Sequence, residues 1–285
     1  MKTTDEMIQL NHEQAKFYDA IQSAEAKTGH GGYAENKSAN VLTRAWAGLR
    51  YRQQAAAKAA GVEGMMKGTH QRWVASKAGG NFLEFGCFSG SPSTFLLAEN
   101  AGAYVGVELS PSAVKSLNDK FTARGLAHKA VAEAVDFLTL KEDRKFDLFY
   151  AHGVLHHFEN PEPLFEKLAA LAKPDAMLLF VEPCAVNPVY RFLRALYRPF
   201  QSDAPWEWPF RRRTVEALEK HFEVVEGFGW GRRSLPLSVM TGLPFIGRLL
   251  LDIYIRTAQA EVKQGWHSKV WHNSMVTALY RAKRS

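Results

Sequence analysis

The stretch FLEFGCFSGS, from Phe82 to Ser91, decides how this chain folds. An apolar run typical of a strand passes directly into a turn of small residues that contains Gly86 and Gly90. A helical pattern, SPSTFLLAENA, follows the turn. Because glycine lets the backbone approach a ligand closely, such a turn can hold a cofactor as well as connect a strand to a helix.

An acidic side chain ends the next apolar run. YVGVELS places Glu108 at the end of the second predicted strand, and the distance from Gly86 leaves room for one crossover helix. A carboxylate at this position can accept hydrogen bonds from both hydroxyls of a ribose. Glu133, in VAEAVDF, ends the third predicted strand at a position suited to an adenine amino group, and Asp136 is the competing assignment.

Strand-like and helical patterns alternate from residue 81 to residue 183. The alternation predicts a doubly wound α/β fold, with a parallel sheet and right-handed crossovers. The fourth and fifth strands are predicted over FDLFYAHG and AMLLFVEP, with the helix Asn160–Pro174 between them. A later helix, RRTVEALEKHF, and two strands, FEVVEGFGW and SMVTALYRA, complete the pattern.

The segments on either side of this core differ from it. Residues from about Asp5 to Ala60 show helical spacing, interrupted by the glycine-rich TGHGGYAENKSA. After Pro183, two long aromatic and proline-containing stretches, 184–210 and 231–273, interrupt the alternation, and insertions of this size are typical of functional covers. We therefore divide the chain into an N-terminal helical cap (1–70), a core (71–185) and a region of substrate-cap insertions with the final helix and strands (186–285).

The motifs LEFGC, VELS and FDLFYAHGVLHHFENP resemble, in order and spacing, the class I S-adenosylmethionine-dependent methyltransferases. The resemblance implies a Rossmann-like sheet of seven strands with an antiparallel final hairpin, and S-adenosyl-L-methionine as the cofactor. This chain departs from the family at Phe88, where glycine is common. Phe88 and Ser91 also replace the second and third glycines of a dinucleotide-binding turn, which argues against a nicotinamide or flavin cofactor.

The resemblance also implies which residues contact the cofactor. Tyr18 matches an aromatic side chain that folds over it, and His152 and Gly153 face its sulfonium side. The remaining predicted contacts are Glu84, Gly86, Cys87 and Gly90 at the methionine end, Glu108 and Leu109 at the ribose, and Glu133 and Ala134 at the adenine.

Two histidines beyond the fourth strand, His156 and His157, are the candidate general bases for a hydroxyl acceptor, since histidine titrates in the useful range. The alternative is that the pair only supports the loop. The candidate substrate-binding residues lie at the end of the fifth strand and in the insertions, where packing within a cap would explain the same aromatic side chains. They are Glu182, Tyr190, Trp206, Trp266, Trp271 and His272.

Positive charge is concentrated in the last third of the chain. The net charge is +7, and from Arg191 onward 16 basic residues face 8 acidic ones. A basic region suits an acidic substrate, a membrane surface or nucleic acid, or is simply a solvated face. Pro236, Pro244, Arg248 and Asp252 interrupt the apolar stretch 235–255, so we reject a transmembrane helix there and retain an interfacial helix pair as an alternative.

Composition favours a cytoplasmic enzyme: the first residues lack an apolar secretory core, and the chain has only two cysteines. We predict a methyltransferase that acts on a small molecule of specialised metabolism, with oxygen as the leading acceptor atom and nitrogen or carbon still open. The alternatives are a methyltransferase that acts on a lipid or lipid-linked substrate at a membrane surface and a catalytically silent protein that binds S-adenosylmethionine. No metal-ligand spacing or nucleic-acid motif is found, and a homodimer through the cap surfaces remains open.

Overall fold

The structure, a computed structural model, describes residues 3–28, 55–198, 206–243 and 246–284. Within these ranges the predicted alternation of strands and helices is confirmed. The strands are β1 (Asn81–Phe85), β2 (Ala103–Glu108), β3 (Ala130–Ala134), β4 (Phe146–His152), β5 (Ala172–Pro183), β6 (Phe222–Trp230) and β7 (Met275–Ala282). The helices are α1 (Thr4–Thr28), α2 (Val62–Ala75), α3 (Pro92–Asn100), α4 (Pro111–Ala123), α5 (Glu162–Leu171), α6 (Pro188–Tyr197), α7 (Arg212–His221), α8 (Ser234–Thr241) and α9 (Ile246–Lys263).

The strands of the described residues form one sheet in the order β3-β2-β1-β4-β5-β7-β6. Strands β1 to β5 pair in parallel, and β7 is antiparallel to both β5 and β6, so the antiparallel final hairpin is confirmed. Pro183 at the end of β5 and Trp230 at the end of β6 both pair with Met275. Strands β1 to β6 therefore all end at one edge of the sheet, which we call the carboxyl edge.

Helices cover both faces of the sheet, as the doubly wound fold requires. On one face Trp73 of α2 and Phe121 of α4 pack in a cluster with Tyr104 of β2. On the other face Phe165 of α5 and Leu218 of α7 belong to a second buried cluster. A third cluster joins residues 55–60, which are helical, to α2, β6 and α9.

Serine followed by proline begins each helix that leaves β1 and β2. The Ser91 hydroxyl accepts a hydrogen bond from the Thr94 amide at 3.2 Å, and the Ser110 hydroxyl accepts one from the Ala113 amide at 3.2 Å. These caps satisfy amides that have no partner within the helix, and proline has its preferred place in the first turn. The local sequence thus fixes where α3 and α4 start, directly beside the ends of β1 and β2.

The structure corrects one boundary. The helix predicted over Asn160–Pro174 ends at Leu171, and β5 already begins at Ala172, because the residue before proline is pushed out of the helical region. Helix α1 confirms the first part of the predicted N-terminal helices, whereas the glycine-rich break and most of the second helix lie outside the described residues. The division into units 1–70, 71–185 and 186–285 stays a prediction.

No helix of the described segments is both long and apolar enough to cross a membrane. Cys87 and Cys184 are buried and unpaired.

Candidate active site

A cavity of about 250 Å³ lies at the carboxyl edge, beyond β1, β2 and β4. Ligands of open α/β sheets bind in this region. Four loops, which follow β1, β2, β3 and β4, form its floor and sides, and helix α1 closes it from above. The lining residues are Asn11, Gln14, Tyr18, Phe85, Gly86, Phe88, Val107, Glu108, Leu109, Val135, Asp136, Phe137, His152, Gly153, Val154, His157 and Phe158.

The turn after β1 has an alternating left-handed backbone. Gly86, Phe88 and Gly90 have φ values of 72°, 43° and 89°. A Cβ atom on Gly86 would lie 2.7 Å from a methyl group of Val154, so this position has no room for a side chain. Phe88 therefore occupies a conformation that glycine adopts readily, at a cost of about 1–2 kcal/mol for an L-residue. The departure from the family changes the side chain without altering the alternation of the turn.

Glu108 presents a buried carboxylate to the cavity. One of its oxygens accepts hydrogen bonds from the Leu109 amide at 2.7 Å and the Ser110 amide at 3.1 Å, and the other accepts one from the Phe88 amide at 2.9 Å. Burial raises the pKa of Glu108 above its usual range, although the three amides act in the opposite direction. A carboxylate has about four acceptor positions, so this group can accept another donor from the cavity.

Three of the predicted cofactor contacts lie beneath the turn, not at the cavity wall. Glu84 accepts hydrogen bonds from the hydroxyls of Tyr104, at 2.7 Å, and Thr94, at 3.0 Å, and burial raises its pKa to about 7. Cys87 packs in the same cluster as Tyr104. A Cβ atom on Gly90 would lie 2.8 Å from Leu117. In the structure these residues support the turn from below.

The residues predicted beside the adenine are shifted along the chain. Neither Glu133 nor Ala134 lines the cavity, and the Glu133 carboxylate points to solvent, where it lies 3.8 Å from Arg144. Asp136, the competing assignment, does line it, together with Val135 and Phe137. The chain leaves β3 at Ala134, so the residues that reach the cavity belong to the following loop.

Polar contacts hold α1 over the cavity. The Asn11 amide donates to the Asp136 carboxylate at 2.9 Å. The Asp19 carboxylate accepts from the Ser110 hydroxyl at 2.9 Å and from the Ser112 amide at 3.1 Å, and its hydrogen bonds to Ser112 and Ser110 lower the pKa of Asp19. These contacts join α1 to the loop after β3 and to the start of α4.

Tyr18 and His157 meet across the cavity wall. The Nδ1 atom of His157 lies 2.8 Å from the Trp206 carbonyl oxygen, which can only accept, so Nδ1 carries the proton. In the neutral ring Nε2 is then an acceptor, and the Tyr18 hydroxyl lies 3.4 Å from it. Burial, followed by the proximity of His156, lowers the pKa of His157 to about 3, so this ring is neutral at pH 7.

His156 does not line the cavity. Its Nδ1 atom lies 2.6 Å from the Glu182 carboxylate, which also accepts hydrogen bonds from the amides of Val154 and Leu155 at 2.9 and 2.7 Å. Glu182 is fully buried at the end of β5 and ties the loop after β4 to that strand. In this arrangement His156 and Glu182 position the loop that carries His157.

His152 and Gly153 line the cavity as predicted contacts should. The His152 residue is exposed at the cavity wall. Partial removal of its ring from water by the surrounding protein lowers the pKa of His152 below the ordinary value. A Cβ atom on Gly153 would meet only His156, at 3.9 Å, so the space above this glycine is open.

The predicted substrate residues do not gather at the cavity. Trp206 lies nearest, with its ring 5.0 Å from Phe17 of α1 and its carbonyl bound by His157. The rings of Trp266 and Trp271 pack against the core aromatics Phe180, Phe210 and Tyr280. Tyr190 in α6 and His272 beside β7 are not among the lining residues.

Sequence reasoning missed Asn11 and Gln14. These residues precede Tyr18 by seven and four positions, so they share one face of α1. That polar and aromatic face was visible in the sequence, but nothing in the sequence located the surface against which it packs.

The residues of this cavity fit a nucleoside-containing cofactor. An acceptor carboxylate faces the cavity from the end of β2, apolar walls from Val107, Leu109, Val135 and Phe137 can enclose a flat ring, and open space lies above Gly153. The lining residues, as far as the structure describes the chain, include no lysine or arginine.

Comparison with known proteins agrees with this geometry. The family model described as a methyltransferase domain matches residues 83–178, from β1 into β5. The matched segment carries a methyltransferase domain, and the rest of the chain lies outside the match. The cavity lies at the carboxyl edge of the matched segment.

Individual relatives match less than the whole chain. The tocopherol O-methyltransferase of Arabidopsis thaliana chloroplasts is 31% identical over 106 residues, which are 37% of this chain and 30% of that protein. The geranyl diphosphate C-methyltransferase of Streptomyces coelicolor shares the fold, with a TM-score of 0.52 and 13% identity over 77% of this chain and 79% of that one. A proposed sarcosine dimethylglycine methyltransferase of Galdieria sulphuraria gives a TM-score of 0.51 and 14% identity over 74% of this chain and 84% of that one.

Proposed function

We propose that this chain transfers a methyl group from S-adenosylmethionine to an oxygen atom of a small molecule. The observation that carries the proposal is the buried Glu108 carboxylate, which faces a cavity at the carboxyl edge beside the glycine-containing turn. The match to a methyltransferase domain supports S-adenosylmethionine as the methyl donor. When bound, this cofactor supplies an electrophilic methyl group.

Several described residues would hold the cofactor. Glu108 would accept a hydrogen bond from a ribose hydroxyl at its remaining acceptor position, and Asp136 lies among the apolar side chains that would enclose the adenine. Gly153 would leave space for the methionine portion, because only His156 lies within 4 Å of the place that a Cβ atom would take, whereas Gly86 lets the turn pack against Val154. Tyr18 and the rest of α1 would exclude water from above.

His157 would orient the acceptor by accepting a hydrogen bond. Its Nε2 atom is an acceptor in the neutral ring, and the ring lines the cavity; the Tyr18 hydroxyl now lies 3.4 Å from this nitrogen, and the acceptor would take its place. A pKa of about 3 makes this nitrogen a weak base, since general bases work best with a pKa near the working pH. Catalysis would then depend mainly on alignment of the acceptor with the methyl group, and His156 would act only by positioning the loop.

An oxygen acceptor is supported by the similarity to the tocopherol O-methyltransferase, which by its name methylates oxygen. A hydroxyl also suits Nε2 of His157, because a hydroxyl can donate to this nitrogen and still direct a lone pair elsewhere.

The first test is calorimetric titration with S-adenosylmethionine and S-adenosylhomocysteine, with NADH as a control, followed by a turnover assay across phenols, alcohols and amines. Binding of both sulfur compounds with turnover of phenols or alcohols supports the proposal. Turnover of amines alone would overturn the oxygen assignment. Binding without turnover on any acceptor would favour the catalytically silent alternative.

A further inference from the structure

Helix α6 presents an apolar stripe to solvent. Val189, Phe192 and Leu196 are 66%, 64% and 59% exposed. Their spacing of three and four residues aligns them on one side of the helix. Monomeric proteins seldom leave aligned large apolar side chains uncovered without a binding role.

A second apolar surface is formed by α8 and α9, which pack against each other. Leu249, the most exposed large apolar side chain of the described residues, is 78% accessible. Ile246 and Ile253 lie on the same side of α9 as Leu249. Three residues of α8 and its end add to this surface: Val239, Met240 and Leu243.

Both surfaces begin at the carboxyl edge. Pro183 and Trp230 end their strands at the same level, because both pair with Met275. Helix α6 starts five residues after Pro183, and α8 starts four residues after Trp230. The two surfaces therefore leave the sheet at the edge that carries the cavity.

The charge on these elements is strongly positive. In the ranges 188–198, 231–243 and 246–263, eight basic residues accompany two acidic ones. One of the two, Glu261, is buried and accepts hydrogen bonds from the amides of Gly231 and Arg233. Arg248 and Arg256 are exposed on α9, beside the apolar side chains.

We propose that these two surfaces dock on an anionic lipid bilayer, and that the methyl acceptor is an amphiphile presented from that bilayer. The identity of the acceptor rests on the proposed function, whereas the docking does not. Apolar side chains flanked by arginines are typical of helices that lie in the interface of a bilayer. A second copy of the chain fits less well, because it would bring two positive surfaces together.

The test is co-sedimentation with vesicles of phosphatidylcholine alone and vesicles that contain about one third phosphatidylserine. We expect binding to the anionic vesicles that weakens with salt, because surface charge is screened. The variant Phe192→Ser/Leu196→Ser/Leu249→Ser/Ile253→Ser should bind at least about tenfold less. Arg248→Gln/Arg256→Gln should lose binding by about fivefold for each arginine. Val131→Ser/Val225→Ser, which changes exposed apolar side chains of β3 and β6, should bind like the unchanged protein.

Circular dichroism on every variant separates a folding defect from a docking defect, and calorimetry with S-adenosylhomocysteine tests the proposed function separately. Folded protein that ignores anionic vesicles would overturn the docking, as would equal binding to neutral vesicles. A dimer in light scattering that is lost in the serine variant, without vesicle binding, would assign these surfaces to a subunit contact. Vesicle binding by folded protein that does not bind S-adenosylhomocysteine would support the docking proposal and contradict the proposed function.

Discussion

The buried imidazole of His157 should make the protein sensitive to mild acid. Its pKa falls from the ordinary value of 6.5 to about 3, because the ring is buried and lies beside His156. Below pH 6.5 the unfolded chain binds a proton at His157, whereas the folded protein leaves this ring neutral until the pH approaches 3. Stability is therefore fully present above that pH and is lost progressively as the pH falls toward 3.

The size of the loss follows from the pKa difference. A pH of about 5 lies about 1.5 units below the pKa of His157 in the unfolded chain. At 1.36 kcal/mol per unit, protonation of the unfolded state lowers the free energy of unfolding by about 2 kcal/mol. The side chain is almost fully buried, so solvent screening does not reduce this figure much.

The assay is urea unfolding at about pH 8 and about pH 5, applied to the protein and to His157→Asn. The asparagine amide can replace Nδ1 as donor to the Trp206 carbonyl, but it does not titrate. We expect the unchanged protein to lose about 2 kcal/mol more than the variant between the two conditions. Other groups titrate in both proteins and cancel in the comparison.

His128→Asn, at an exposed position, is the matched control and should follow the unchanged protein. An equal loss in His157→Asn and the unchanged protein would refute the reasoning, because the ring would then accept a proton in the folded state.

Three further predictions concern the cavity. Glu108→Gln should weaken binding of S-adenosylhomocysteine by about 1.5–3 kcal/mol in calorimetry, whereas Glu133→Gln should leave it unchanged; equal effects would return Glu133 to the site. Phe88→Gly should be more stable than Phe88→Ala by about 1 kcal/mol in thermal unfolding, because glycine relieves the positive φ. The reverse order would mean that the turn is not left-handed at this residue. Asp19→Ala removes the hydrogen bonds from α1 to Ser110 and Ser112, and stopped-flow measurements should find S-adenosylhomocysteine dissociating about tenfold faster. An unchanged rate would exclude α1 as the cover of the cavity.

The strands could be predicted because local patterns determine them. Apolar runs that end in glycine, serine or proline mark β1, β2 and β4, and parallel strands bring their carboxyl ends together. The same geometry led to Glu108, and the resemblance to a known family led to His152 and Gly153. The structure has all three lining a cavity at one edge. The start of β5 was missed, because the helical pattern before Pro174 continues past the true end of α5.

The sequence alone could not distinguish residues of the site from residues of the core where the role depends on a partner that is distant in the sequence. Trp266 and Trp271 are aromatic residues of the kind that line pockets, but the structure packs both against the core cluster that contains Phe180. The sequence could not distinguish the two roles, because an aromatic side chain is suited to a core and to a pocket alike. Glu182 ends a strand as Glu108 does, but its carboxylate accepts hydrogen bonds from amides of the loop after β4. Only the packing of neighbouring elements distinguishes these two carboxylates.

The covering helix also has a consequence for the order of folding. The hydrogen bond between Asn11 and Asp136 spans 125 residues, and the contact between Tyr18 and His157 spans 139. Contacts of such long sequence separation pay a large loop-closure entropy, so they form after the local units that they join. Strands β1 to β4 must therefore be assembled before α1 has a surface to bind. During synthesis α1 would leave the ribosome before β1 to β4 but would reach its place after them, and the cavity would remain open until then.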